Sequence, residues 1–351
     1  MNNDRPKPTV SIWRPVRDID PSLHGYAHRG ARESAERWRA ARHKLENPEI
    51  DRTAMDIWIR EQRRFFAIET GQMEGLYLLK RGVTEKLLTE GFEGVRGEHS
   101  DTDISDNTLK GLLEDQEAAL DMMFALVKDD RPLTVHSLKE WHALLTRHQA
   151  SAAGFNPFTR QLTDIPLLRG EFKRRPNNPL REDGFVHEYC PPEQTRSEVD
   201  RFLALHASHQ KLNLAPEVEA AWLHHEFVRI HPFQDGNGRM SRMLMAIPYA
   251  RAGEFPPVIL AQNKPEYISA LELADAGRFT AFVDYLGDLA TLRANYASLR
   301  AENILQGRNH YRHGNGGVTI NGIYYGPEEG IDLPLVGEPD DNNNSDDEIP
   351  T

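Results

Sequence analysis

Apolar residues recur at helical spacing over most of this 351-residue chain. From Ala54 to Lys80 the stripe of Ile57, Trp58, Phe65, Ile68, Met73, Leu76 and Tyr77 predicts one long helix. Leu109–Val127 repeats the pattern with Leu112, Leu113, Leu120, Met123, Phe124 and Val127. Pro132-Leu133-Thr134 opens a third helix, carrying Leu138, Trp141, Leu144 and Leu145. Ala31–Glu46 is Ala-rich and strongly charged, which predicts an exposed helix. Helical patterns return over Glu198–Leu212, Val218–Ile230, Met243–Ala252, Tyr267–Ala276 and Thr280–Leu299. The rhythm breaks at 150–192, where Pro157, Pro166, Pro176, Pro179, Pro191 and Pro192 predict a long loop with at most a short hairpin. Near the end, Asn321-Gly322 separates the β-prone triplets Val318–Ile320 and Ile323–Tyr325, a two-residue hairpin signal. The expected class is therefore mainly α.

Composition narrows the function classes. No apolar run approaches the ~18–20 residues of a membrane span, and the opening MNNDRPKPTVSIW lacks an apolar signal region. The lone cysteine, Cys190, has no partner in the chain; this fits a reducing compartment, so a cytoplasmic protein without membrane attachment is expected. The net charge is −12, but residues 326–351 hold nine acids and neither Lys nor Arg, which leaves the body at −3. A near-neutral body gives no basic surface for nucleic acid. The tail from Gly337 is expected to be disordered.

One stretch concentrates chemistry: His231-Pro-Phe-Gln-Asp235-Gly236-Asn237-Gly238-Arg239-Met-Ser-Arg242. Pro232 stops the preceding helix and places His231 at the mouth of a loop. Gly236-Asn237-Gly238 can turn successive N–H groups into one concavity, and a helix beginning near Arg239 adds partial positive charge behind it. Arg239 and Arg242, three apart, share a helix face and can grip one phosphate chain. Asp235 would repel phosphate unless a cation such as Mg²⁺ stands between them. His231 is the group able to take a proton from an incoming hydroxyl. Each feature is common alone: His313-Gly314-Asn315-Gly316-Gly317 contains the same turn without arginines. Nine specified positions together occur by chance on the order of 10⁻¹² per starting point.

The stretch resembles the Fic family motif H-P-F-x-[DE]-G-N-G-R-x-x-R at every specified position, and the similarity runs from roughly Gly71 to Leu289, including Asn263–Leu271. The resemblance implies a helical Fic-type bundle with a short β-hairpin flap, and transfer of AMP from ATP to a Ser, Thr or Tyr hydroxyl of a protein, including the chain itself. It implies His231 as base, Asp235 as Mg²⁺ ligand, Gly236, Asn237 and Gly238 as anion hole, and Arg239 and Arg242 on the outer phosphates. Tyr267 matches a position near the adenine. It further implies segments 1–50 (partly helical), 51–130 (carrying an inhibitory helix), 131–300 (the Fic core) and 301–351 (hairpin and tail). The partners expected are ATP and an unidentified target protein, with no nucleic acid and a homo-oligomer left open.

The family's inhibitory motif, [ST]-x-x-x-E-[GN], is matched by Thr70–Gly75, with Glu74 as the residue that pairs with the second arginine. Thr89–Gly94 also fits, but Glu93 sits among glycines, whereas Glu74 lies on a long striped helix able to present it rigidly. Autoinhibition by Glu74 is the expectation, and the same residue could serve AMP removal. Alternatives on the same scaffold are transfer of UMP, phosphocholine or phosphate, or nucleotide sensing without catalysis. The flap is expected at Leu168–Pro192, with Lys173, Arg174 and Arg175 either meeting an acidic target or solvated. Asp101-Thr-Asp103-Ile-Ser105 starts like a calcium loop but lacks its glycine and terminal glutamate. His224-His225-Glu226 lacks the spacing of a zinc helix and is expected to pack or face solvent.

Overall fold

The computed structural model describes residues 10–51, 53–79, 84, 87–88, 104–156, 161–179, 186–306, 318–320 and 323–325. The tail from Gly337, the Glu93 motif and Asp101–Asp103 lie outside the described residues. The helices of the described residues are α1 (Arg29–Leu45), α2 (Thr53–Met73), α3 (Asp106–Lys128), α4 (Val135–Leu145), α5 (Pro192–His209), α6 (Pro216–Ile230), α7 (Asn237–Arg251), α8 (Lys264–Asp275) and α9 (Thr280–Leu305). The fold is thus mainly α, as the apolar periodicity predicts.

The α6–α7 pair is the centre of the molecule. Both helices are buried on nearly every face: Trp222, Leu223, Phe227, Met240, Leu244 and Ile247 are at most 2% exposed. α2 and α3 pack beside this pair, and α1 lies along α9. A second, smaller core joins Trp38 and Trp58 to Ala294, Ala297 and Ala301 of α9.

Several boundaries differ from the sequence expectation. α2 stops at Met73, not Lys80, because Gly75 adopts φ +67°. Gly75 N–H then donates to Gln72 O and Leu76 N–H to Gly71 O, the reversal that ends a helix at a left-handed glycine. Glu74 therefore sits at the helix terminus, not within the helix. α5 begins at Pro192 rather than Glu198, since a proline is tolerated in a first turn. α7 begins at Asn237 and runs through Pro248.

The stretch 150–192 contains a six-residue antiparallel hairpin, β2 (Ser151–Asn156) with β3 (Gln161–Pro166), ahead of the expected flap. The described part of Leu168–Pro192 is largely irregular. It touches the loop after His231 through a Phe172–Phe233 bridge and forms β4 (Val186–His187). β4 pairs in parallel with β1 (Val10–Ser11). The terminal hairpin, β5 (Val318–Ile320) with β6 (Ile323–Tyr325), has the expected register.

The end of α2 is held from below. Tyr77 is fully buried, with its hydroxyl donating toward Ile68 O (3.3 Å) and accepting from Gln116 Nε2 of α3 (3.5 Å). Gly71 makes room for it: a Cβ there would overlap the Tyr77 hydroxyl and lie 2.6 Å from Gln116 Nε2. Gly71→Ala gains helix propensity of ~1 kcal/mol but overpacks a closed site at a cost of ~1–3 kcal/mol. We expect a net loss of stability, read as a lower urea midpoint; an unchanged or higher midpoint would contradict the packing described.

Candidate active site

His231 closes α6 in a left-handed conformation, φ +49° and ψ +56°, uncommon for a residue other than glycine, and Pro232 after it prevents the helix from continuing. Its Nδ1 lies 3.1 Å from Val228 O; a carbonyl only accepts, so Nδ1 carries the proton and Nε2 holds the lone pair. The ring is half-buried and stacks on Tyr189, centroids 3.8 Å apart. Burial, with the Lys173 ammonium next, pushes His231 down to about 3, so its imidazole is neutral at physiological pH. Negative charge entering the cleft would raise it again.

Lys173 is 4% exposed, unlike the solvated loop lysine considered from sequence. Its Nζ donates to Asn177 Oδ1 (2.9 Å) and Ile230 O (3.3 Å), and its N–H donates to Pro232 O (2.8 Å). It therefore ties the flap segment to the carbonyl just before His231. Arg174 and Arg175 are exposed.

The loop from Phe233 to Asn237 is locked by its own asparagine. Asn237 Oδ1 accepts from Phe233 N–H (2.9 Å) and Nδ2 donates to Phe233 O (2.8 Å). The side chain of Asn237 is thus internal, and its backbone N–H is what faces a ligand site. Gly236 is the left-handed N-cap (φ +77°) of α7. The N–H groups of Asn237, Gly238 and Arg239 precede the first intrahelical bond, from Met240 N–H to Gly236 O, and carry the positive end of the helix dipole.

Glu74 lies on this helix start. A Cβ at Gly238 would overlap Glu74 Oε1, so the carboxylate rests against the Gly238 α-carbon. Arg242, 2% exposed, donates from Nη2 to Glu74 Oε1 at 2.5 Å and from Nε to Thr70 Oγ1 at 2.5 Å. Burial pushes the Glu74 carboxyl up, but the charge and hydrogen bond of Arg242 outweigh it and leave Glu74 below its usual 4.5. The two ends of the sequence-predicted inhibitory pair are therefore in contact.

Arg239 is placed differently from the phosphate-gripping role expected of it. It is 1% exposed and donates to Leu145 O (3.3 Å) and Gln149 Oε1 (2.6 Å). Gln149 in turn donates to Asp235 Oδ2 (2.5 Å), whose Oδ1 accepts from Gly236 N–H (2.7 Å). Tyr267 is buried, its hydroxyl 2.8 Å from His224 Nε2, so it lines the interior behind Arg242. His224, His225 and Glu226 are all buried and pack, with His225 Nε2 2.9 Å from Asp275 Oδ1.

Asp235 offers one carboxylate, and no group of three or more acidic, His or Cys side chains suited to a metal occurs among the described residues. A single half-buried carboxylate at the edge of an anion-accepting helix start fits a hard divalent cation whose remaining ligands are phosphate oxygens and water. It does not form an all-protein cage.

Two residues that sequence reasoning missed hold this arrangement. His142, fully buried on α4, accepts from Gly170 N–H at Nδ1 (2.9 Å) and so donates from Nε2 to Asp235 O (2.9 Å). It stacks on Phe233 with centroids 3.8 Å apart, and burial lowers it to about 4, keeping it neutral. Gln149 bridges Asp235 and Arg239 as described. Both lie some 90 residues from their partners, and no local spacing announces them.

Residues 132–248 match the family model described as Fic/DOC family. The chain carries a Fic/DOC family domain. Similar curated proteins include "Protein adenylyltransferase Fic" of Drosophila mojavensis, 37% identical over 126 residues, which is 35% of this chain and 24% of that protein. The protein of the same name from Culex quinquefasciatus is 34% identical over 125 residues, again 35% and 24%. The chain thus spans about a quarter of the length of the curated relatives it matches. Among solved structures, a Fic domain containing signaling protein from Bacteroides thetaiotaomicron aligns with TM-score 0.61 and 21% identity, over 79% of this chain and 97% of that one. Fic-1 from C. elegans aligns with TM-score 0.55 and 18% identity, over 79% and 73%. These two likenesses show the shared helical fold. Among the described residues no helix is long and apolar enough to cross a membrane.

The Glu74–Arg242 pair makes folding pH-dependent in a defined direction. A carboxylate depressed below 4.5 contributes stability that is fully present above 4.5 and lost as pH falls through the lower folded-state value. The protein should therefore lose more stability than Glu74→Gln as pH falls from 4.5 downward, read as urea midpoints. Parallel curves for the two proteins would contradict an ionised, paired Glu74.

Proposed function

We propose that the chain is a protein adenylyltransferase that transfers AMP from ATP to a hydroxyl of a protein, held at low activity by Glu74. The observation that carries this reading is the seat of Glu74: one carboxylate covers Gly238 and engages Arg242, at the point where a helix start and a buried guanidinium would receive phosphate. Gly238 and Arg242, the two residues it meets, lie within residues 132–248, the segment that matches the Fic/DOC family model, and similar curated proteins are named adenylyltransferases.

In this reading the target hydroxyl gives its proton to His231 Nε2 as its oxygen bonds to the α-phosphorus. The bond from that phosphorus to the bridging oxygen breaks, and pyrophosphate leaves. The first-turn N–H groups of α7 and Arg242 stabilise charge on the departing diphosphate. Asp235 would hold the divalent cation, Mg²⁺ being the natural candidate, which supplies charge neutralisation at the phosphates. Arg239 acts mainly from within, fixing Gln149 and through it Asp235. Tyr267 supports the wall behind Arg242, on the side where the adenine is expected.

Glu74 blocks by occupancy. The Glu74 carboxylate takes Arg242 Nη2 and the space over Gly238, so docking of a terminal phosphate at that point requires the end of α2 to yield. Removal of AMP through water ordered by Glu74 would use the same seat.

Incubation with α-labelled ATP, and with labelled UTP in parallel, tests the reading. Glu74→Gly should increase label on the chain itself or on lysate proteins by on the order of tenfold or more, a normal size for coupled sites. His231→Ala in the Glu74→Gly background should abolish it. Equal labelling with and without Glu74 would remove the inhibitory role, and labelling by UTP alone would assign another donor.

A further inference from the structure

Away from Glu74, a cavity of about 460 Å³ opens between α1, α2, α3, α9 and the turn after α7. That volume lies in the usual range for small-molecule sites. Its walls are apolar: Trp38 of α1, Phe66 of α2, Leu120 and Phe124 of α3, and Phe255 of the turn. The buried polar groups gather at one place. Gln62 and Arg293, 5% and 6% exposed, line the cavity side by side, with Arg293 Nη1 donating to Gln62 Oε1 at 2.6 Å. Burial pulls the Arg293 guanidinium down to about 10, the sign of a cation removed from water.

The other charged groups around the cavity sit further out. Arg42 and Arg63 are roughly half exposed and paired with Glu46 and Asp121, and Lys128 is exposed, so these cations face outward. Glu254 is the one carboxylate among the described lining residues; it is tied to Arg39 at 2.9 Å, and burial pushes it up to about 7. The buried Arg293 guanidinium at the polar end disfavours a cation as ligand. A polyphosphate would need several buried donors, whereas the interior offers one guanidinium and one amide among aromatic rings. A planar guanidinium is matched best by a single carboxylate or sulfonate head.

We propose that this cavity is a second binding site, distinct from the Glu74 cleft, for an amphipathic monoanion. Its head lies against Arg293 and Gln62, and its aromatic or branched apolar body lies among Trp38, Phe66, Phe124 and Phe255. Ile59, Gln62, Arg63 and Phe66 are on α2, the helix that ends at Glu74, so an occupant would rest on the inhibitory helix itself.

Fluorescence titration of the full chain with 8-anilinonaphthalene-1-sulfonate, beside its neutral analogue N-phenyl-1-naphthylamine, tests the site. The expected result is saturable binding of one sulfonate per chain, at least about tenfold tighter than the neutral analogue, as one charge-assisted contact implies. Arg293→Met should weaken the sulfonate about tenfold and leave the neutral analogue unchanged. Ile59→Trp, which keeps Arg293 but fills the cavity from its half-buried wall, should weaken both probes. Circular dichroism confirms that each variant is folded; if Arg293→Met is not, the two-probe ratio on the unmodified chain and the Ile59→Trp result decide. Non-saturable binding, equal affinity for the two probes, or sulfonate binding unaffected by Ile59→Trp overturns the proposal.

Discussion

A buried guanidinium at a helix start needs an anion, and much of the arrangement around Arg242 follows from that need. Arg242 is 2% exposed and shares its surroundings with Arg239 and the positive end of α7. Leaving such a charge uncompensated costs several kcal/mol. The chain supplies the anion itself. Glu74 comes from the C-terminal end of α2, which packs beside α7, where the helix dipole disfavours a carboxylate. Two features offset that penalty: the Arg242 pair, and Lys264, whose Nζ donates to Met73 O at 2.9 Å and caps the same helix end with a cation. Gly75 supplies the reversal, and Tyr77 supplies the floor.

The opposite wall of the cleft is built by a separate set of contacts. Asp115, fully buried, accepts from Arg147 Nη2 (2.9 Å) and His148 N–H (2.6 Å) and so anchors the residues just before Gln149. Arg169 donates to Thr146 O (2.9 Å) and Gln149 O (2.6 Å) from the far side. Gln149 then sets Asp235 and Arg239, while His142 sets the Asp235 backbone and the start of the flap segment. Asp115, His142 and Gln149 are buried and hydrogen-bonded, which is the condition under which a polar network rigidifies a site. These contacts hold the loop after His231, and the end of α2 meets the helix start beyond it through Thr70 and Glu74.

The helices were legible because their apolar stripes are long. The motif was legible because it is local: His231, Gly236 and Arg242 lie within twelve residues, and their roles follow from one turn and one helix start. Glu74 was legible as a motif but misplaced as a helix-interior residue, since Gly75 could equally have continued the helix until its left-handed conformation was seen. Arg239 is read from sequence as a phosphate ligand and Lys173 as a target-facing or solvated loop cation because charge and spacing do not reveal burial; contacts with Gln149 and with the Ile230 carbonyl decide it. His142 and Gln149 were invisible for the same reason. The hairpin at 151–166 is longer than the short one that the prolines of 150–192 allow for at most, and Pro166 sits at the strand's last position, where a missing N–H does little harm.

The central claim is that Glu74 and a phosphate compete for Arg242. Its most direct test is a crystal structure of Glu74→Gly with ATP and Mg²⁺, compared with the unmodified chain treated alike. The account predicts a phosphate oxygen on Arg242 only when Glu74 is absent, with the triphosphate over the start of α7 and the α-phosphate facing His231. A nucleotide bound identically in both proteins, with Arg242 still on Thr70 and the phosphates elsewhere, would contradict it.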